Sequence, residues 1–280
     1  PMIIPNMASG QISIMINAQG PNQCIVTACA SSSHGIGESF RQITRGDIDI
    51  MIAGGAEAVV CELGVAAFAS MRALSTRNDD PAHASRPYDK DRDGFVLGEG
   101  AGVLILEEYE HAKKRGAKIY AEIIGYGASA DAYHMTSPAP EGRGARDCMN
   151  LALKDAGISA DKIGYVNSHG TSTPTGDGLE AQGIAKVFES SKDKLHVSST
   201  KSMTGHLLGA AGGVEAIFSI LAMKNSMIPP TINLENLDDE SKATGLNFTA
   251  KNAVEKKLTH VLSNSFGFGG TNASLIFTKI

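Results

Sequence analysis

One cysteine and two histidines, widely separated in this 280-residue chain, occupy settings that suit acyl transfer. Cys29 lies in the run Gln23-Cys24-Ile25-Val26-Thr27-Ala28-Cys29-Ala30-Ser31-Ser32-Ser33-His34-Gly35. The β-branched stretch Ile25–Thr27 reads as a buried strand, and the small residues after the thiol lead into a helix over Ile36–Ile43. A cysteine at the start of a helix faces unpaired backbone N–H groups and the positive end of the macrodipole, and both favour thiolate over thiol. Small neighbours let a substrate come close to the backbone, so the setting predicts a nucleophile that forms a covalent thioester. A lone cysteine in an apolar stretch is more often a core residue, so the case rests on what lies downstream.

Three later segments carry polar residues that packing does not explain. In Tyr165–Asp177 a strand ends in a turn-rich polar loop bearing His169. Val197–His206 passes Lys201 and His206 into the apolar helix Leu207–Phe218. Asn264–Asn272 is a glycine-rich turn between two strand-like runs. A thiol and two imidazoles at strand–loop junctions make an acyl-transfer set. Glu215 falls within the apolar helix, where a bare carboxylate would cost several kcal/mol to bury; Lys201 is its expected ionic partner.

The elements that must position these groups alternate strand and helix, which predicts a layered α/β fold. Asp49–Gly55 and Gly102–Glu107 read as strands, Tyr109–Arg115 as a charged helix, and Ala121–Tyr126 as the strand opening a second half. Arg146–Ala156 reads as an amphipathic helix with Met149, Leu151, Ala152, Leu153 and Ala156 on its apolar side. The charged, proline-containing stretch from Thr76 to Gly94 reads as a surface loop. Thr27–Phe40 and Thr204–Ile217 share a design, running from strand to small-residue helix start with a reactive group at the junction. Close packing of two helices needs small residues, which accounts for their Gly and Ala.

Composition narrows the classes. With 42% hydrophobic residues, 31 Gly and a net charge of −5, the chain is globular and lacks the basic signature of nucleic-acid binding. Cys24, Cys29, Cys61 and Cys148 form no Cys-x-x-Cys pair and the His residues form no His-x-x-x-His pair, so neither metal, cofactor nor disulfide framework is expected. Leu207–Met223 is apolar but interrupted by Glu215, so it reads as a buried helix and no membrane association is expected. These features suit a cytoplasmic enzyme.

Together with Ser75–Asn78, Arg86–Asp89, Arg92–Val96, His134–Thr136 and Pro229–Asn233, the segments above make the chain resemble the β-ketoacyl-acyl-carrier-protein synthases along essentially its whole length. The resemblance is strongest to the type II elongating condensing enzymes of fatty acid synthesis. It implies a thiolase-like layered α/β fold (helix–sheet–helix–sheet–helix) of two similar halves. Residues 1–117 would be the remainder of the first half, carrying the nucleophile, and residues 118–280 the second half, carrying both histidines. The family's chains are longer: about the first third of such a chain is expected to be missing here, which leaves the N-terminal half incomplete and strand edges exposed. Where close relatives often have Thr after the nucleophile, this chain has Ala30.

The family's Cys–His–His triad matches Cys29, His169 and His206. By resemblance Cys29 takes an acyl group from the phosphopantetheine of acyl carrier protein. His169 and His206 then act as donors to the malonyl thioester as it loses carbon dioxide and attacks the acyl carbonyl. The N–H groups of Cys29 and Phe268 would form the oxyanion hole. Lys201 and Glu215 would fix the histidine helix, and Thr171 and Thr173 would meet the pantetheine arm. Phe268 would gate the acyl pocket beside Phe266, and Arg72 would contact the acidic carrier. A homodimer joined through Gln23–Val26 is implied. A non-catalytic partner subunit would lack the nucleophile. A thiolase would need a second cysteine near the C-terminus, and none follows Cys148. An inactive fragment is the remaining alternative.

Overall fold

A computed structural model describes residues 4–280. In chain order it comprises α1 (Met7–Ile16), α2 (Ser31–Thr44), β1 (Ile50–Glu57), α3 (Glu62–Ser70), β2 (Gly100–Glu107), α4 (Tyr109–Lys114), β3 (Glu122–Ala130), α5 (Arg143–Ala156), β4 (Ile163–Asn167) and α6 (Gly176–Val187). There follow β5 (His196–Ser198), α7 (Lys201–Thr204), α8 (Ala211–Asn225), β6 (Met227–Ile228), α9 (Asp239–Ala243), β7 (Asn247–Phe248), β8 (Val254–Glu255), β9 (His260–Gly267) and β10 (Thr271–Thr278).

The larger sheet runs β3-β10-β9-β4-β5-β7, antiparallel at its β3 end and parallel from β9 to β7. Its inner strands are buried on both faces, as near-continuous runs such as Ala273-Ser274-Leu275-Ile276-Phe277 require. Helices α5 and α6 cover one face, while α2 and α8 cover the other and separate it from the antiparallel pair β1–β2. The layers are thus helix, six-stranded sheet, helix, two-stranded sheet, the thiolase-like order except that among the described residues no further helix layer covers the outer face of β1–β2. The outward side chains Val103 and Ile105 of β2 stand 48% and 60% exposed.

Three sequence expectations change. Ile25–Thr27 forms no strand and pairs with none among the described residues, and Val26 is 70% exposed. None of the described residues supplies a ladder to it. Leu151 points outward from α5, because the turn that buries Met149, Ala152 and Leu153 places it on the far side. The stretch from Thr76 to Gly94 is no surface loop throughout: Arg86, Tyr88 and Asp89 are buried against the second half. Among the described residues no helix is long and apolar enough to cross a membrane.

Candidate active site

Cys29 sits in a single 3₁₀ turn, Ala28–Ala30, that feeds α2. Ala28 takes φ +50°, which turns the chain sharply and directs the thiol inward. The counterpart junction repeats the device. Leu208 takes φ +45°, opens the 3₁₀ turn Leu208–Ala210 and feeds α8. The two helices press together there: a Cβ on Gly212 would stand 2.1 Å from Ser33 Oγ, so only glycine fits.

His169 follows the C-terminal end of β4, where its own N–H and that of Gly170 donate to the Glu180 carboxylate at 2.8 and 2.7 Å. His206 follows α7, and the stretch beside β2 grips its backbone: His206 N–H donates to Val96 O at 2.7 Å, and Gly98 N–H to His206 O at 2.9 Å. Cys29 Sγ and one ring nitrogen from each histidine lie within 4.8 Å of one another. The two imidazoles meet edge to face with centroids 5.2 Å apart. Phe95 packs edge-on against His206, and Phe266 lies tilted against His169. Leu208 N–H donates to His206 Nδ1 at 3.3 Å, which assigns that ring's proton to Nε2. His169 Nδ1 is buried and has no partner among the described residues.

Burial pushes the Cys29 thiol up to about 11, although Lys201 and the N–H groups of Phe268 and Cys29 itself pull it down. The helix start therefore does not yield a resting thiolate, because removing the charge from water outweighs the partial charges that favour it. Burial and the Lys201 charge hold both histidines well below their ordinary value, so the rings are neutral at pH 7. A thiol beside two neutral imidazoles can hand over its proton. It is a poor cradle for a metal cation, which would have to displace that proton beside the charge of Lys201.

Lys201 Nζ donates to Glu215 Oε1, with both residues buried, so the expected pair forms. Burial pushes Glu215 up to about 7 against the pull of Lys201. Neither residue lines the cavity of about 340 Å³ that Cys29, His169 and His206 share with Thr171, Thr173, Arg72, Phe266 and Phe268. Lys201 and Glu215 lie behind it. The Thr171 and Thr173 hydroxyls are 3.1 Å apart. Phe268 occupies the β9–β10 turn, where Gly269 and Gly270 take φ +88° and +72°.

Two residues escaped the sequence reading. Glu180 anchors the His169 loop, and its signal was an acid set among Gly and Ala early in a helix. Asp131 ties the segment after β3 to the Phe268 turn. It donates its N–H to Gly270 O at 2.7 Å and accepts from Asn272 Nδ2 at 2.8 Å and Ala139 N–H at 2.9 Å. No local pattern marks it.

Residues 1–112 match the family model for the β-ketoacyl synthase N-terminal domain, and residues 120–235 that for the β-ketoacyl synthase C-terminal domain. The whole chain is 56% identical to a 3-oxoacyl-[acyl-carrier-protein] synthase 2 of Coxiella burnetii and 54% identical to that of Vibrio cholerae, covering 67% of each. A crystal structure of a β-ketoacyl synthase from Burkholderia phymatum superposes with a TM-score of 0.94 at 43% identity, over 99% of this chain and 66% of that one. A type II PKS ketosynthase in complex with its acyl-carrier protein gives a TM-score of 0.94 at 36% identity, over 98% of this chain and 66% of that one. The chain spans about two thirds of the length of these relatives.

Proposed function

The chain belongs to the β-ketoacyl synthase family, and we propose that it elongates fatty acyl chains by decarboxylative condensation on Cys29. The observation that carries this reading is the meeting of one buried thiol and two neutral imidazoles in a single cavity. Cys29 Sγ attacks the carbonyl of an acyl thioester, and its proton ends on the departing pantetheine sulfur, relayed by a neutral ring. The N–H groups of Cys29 and Phe268, which both pull the thiol's pKa down, hold the oxyanion.

Malonyl thioester then loses carbon dioxide. Negative charge develops on its carbonyl oxygen, where the Nε2–H of His206 and the ring of His169 donate. The carbanion attacks the acyl carbonyl, the C–S bond to Cys29 breaks, the thiolate takes up a proton from water, and the 3-oxoacyl thioester leaves. Lys201 and Glu215 act from behind the cavity, setting the charge that both rings feel. Thr171 and Thr173 receive the carrier's pantetheine arm, Phe266 lines the pocket, Phe268 gates it, and Arg72 meets an acidic acyl carrier protein. The unpaired stretch Gln23–Val26, with Val26 exposed, suits pairing with a second copy in a cytoplasmic homodimer. A non-catalytic partner subunit has no use for the assembled trio.

Incubating the full-length protein with acyl carrier protein loaded with a fatty acyl thioester should add one acyl mass to the peptide holding Cys29, and prior iodoacetamide should block it. Adducts on Cys24, Cys61 or Cys148 with Cys29 unmodified would refute the reading.

A further inference from the structure

The segment that the sequence places on the surface grips the second half of the molecule. Arg92, its side chain only 6% exposed, donates from Nε to Thr173 O and from Nη2 to Pro174 O, each at 2.8 Å. Its Nη1 reaches Asp89 O at 3.0 Å and Asp238 Oδ2 at 2.6 Å. Asp177, with a carboxylate oxygen 3.7 Å from Arg92 Nε, accepts from the N–H groups of Tyr88, Ser172 and Thr173. Ser172 itself takes φ +71°, a conformation that costs energy for any residue but glycine. It is held there by Gly94 N–H on its carbonyl and Arg86 N–H on its hydroxyl, both at 3.0 Å.

We propose that Arg92 is a positioning residue for the carrier arm: by fixing the carbonyls of Thr173 and Pro174 it aims the Thr171 and Thr173 hydroxyls into the cavity. The inference rests on the reading above that these hydroxyls meet pantetheine. Two carbonyls, a third carbonyl and a carboxylate converge on one planar guanidinium, a fork that an ammonium cannot reproduce. Arg92 does not line the cavity, so it touches neither thiol nor substrate.

The test compares two acyl donors on the full-length protein: an acyl thioester of phosphopantetheine on its carrier, and a p-nitrophenyl acyl ester, which has no arm. Arg92→Gln should raise KM for the carrier thioester by about tenfold or more, while acylation of Cys29 by the nitrophenyl ester stays within about twofold. Arg92→Lys keeps the charge beside Asp238 but not the fork, and should raise KM in the same direction by at least about threefold. It also decides the matter should the glutamine variant fail to fold. Equal losses with both donors, or an unchanged KM in Arg92→Lys, would overturn the proposal. A wild-type protein acylated no better by the carrier thioester than by the nitrophenyl ester would overturn both this inference and the function it rests on.

Discussion

The Cys29 and His206 junctions use one backbone device for two purposes. Each turns at a non-glycine residue with positive φ, makes one 3₁₀ turn and enters a helix pressed against its counterpart. At the first junction the N–H of Cys29 acts on its own thiol and pulls its pKa down. At the second, the N–H of Leu208 goes to His206 Nδ1 and fixes a tautomer. The unsatisfied donors of a helix start are therefore an uncommitted resource. What they do depends on which side chain the preceding loop delivers to them. Burial then moves the two groups apart, the thiol upward and the imidazoles downward, so that each is neutral at rest.

Removing the charge that both junctions feel should have the largest effect. Lys201→Ala leaves Glu215 buried without its partner and should destabilise the protein by about 3–5 kcal/mol in chemical denaturation. Glu215 is already raised from its ordinary 4.5 to about 7, so the folded protein binds its proton more tightly than the unfolded chain. Stability from this group is present below pH 4.5 and is lost as pH rises through 7, so the variant should be relatively more stable at pH 5 than at pH 8. A loss independent of pH would remove Glu215 from the account.

The histidines offer a sharper test of the division of labour. Replacing His169 or His206 by Ala should slow malonyl decarboxylation by roughly 10²–10³-fold, on the scale of a lost oxyanion donor, and slow acylation of Cys29 far less. Carbon dioxide release and acyl-enzyme formation are measured separately. Equal losses would make both rings activators of the thiol and erase the contrast between the junctions.

The smallest signal is a flat pH profile. Both imidazoles sit well below their ordinary 6.5, so lowering the pH from 8 to 6 leaves them neutral. Glu215, raised to about 7 behind the cavity, is the group that changes charge there. Decarboxylation should therefore hold steady in a Glu215→Gln variant, and an inflection near 6.5 that persists in it would show that a ring is solvated and titrates normally.

Local chemistry was legible along the chain. The Gly269–Gly270 turn, the buried acid at Glu215 with its lysine, and the small residues of α2 and α8 each follow from what a residue permits its immediate neighbours to do. Glycine at φ +88° or a carboxylate in an apolar helix needs no distant partner to be recognised. Tertiary structure decided the signs and the alliances. Cys29 reads as a thiolate from its helix and is a thiol in the fold, because desolvation sums over every group packed around it. Arg86, Asp89 and Arg92 read as solvated charges and are clasped inside: Arg86 pairs with Asp89, Asp89 accepts from the N–H groups of Glu235 and Asn236, and Arg92 donates to Thr173 O, so the partners that bury the group lie far along the chain. Val26 reads as buried and is exposed, because a strand is completed only by another strand. Torsional preference acts between neighbours in sequence, whereas burial and charge act between neighbours in space, and the site depends on both.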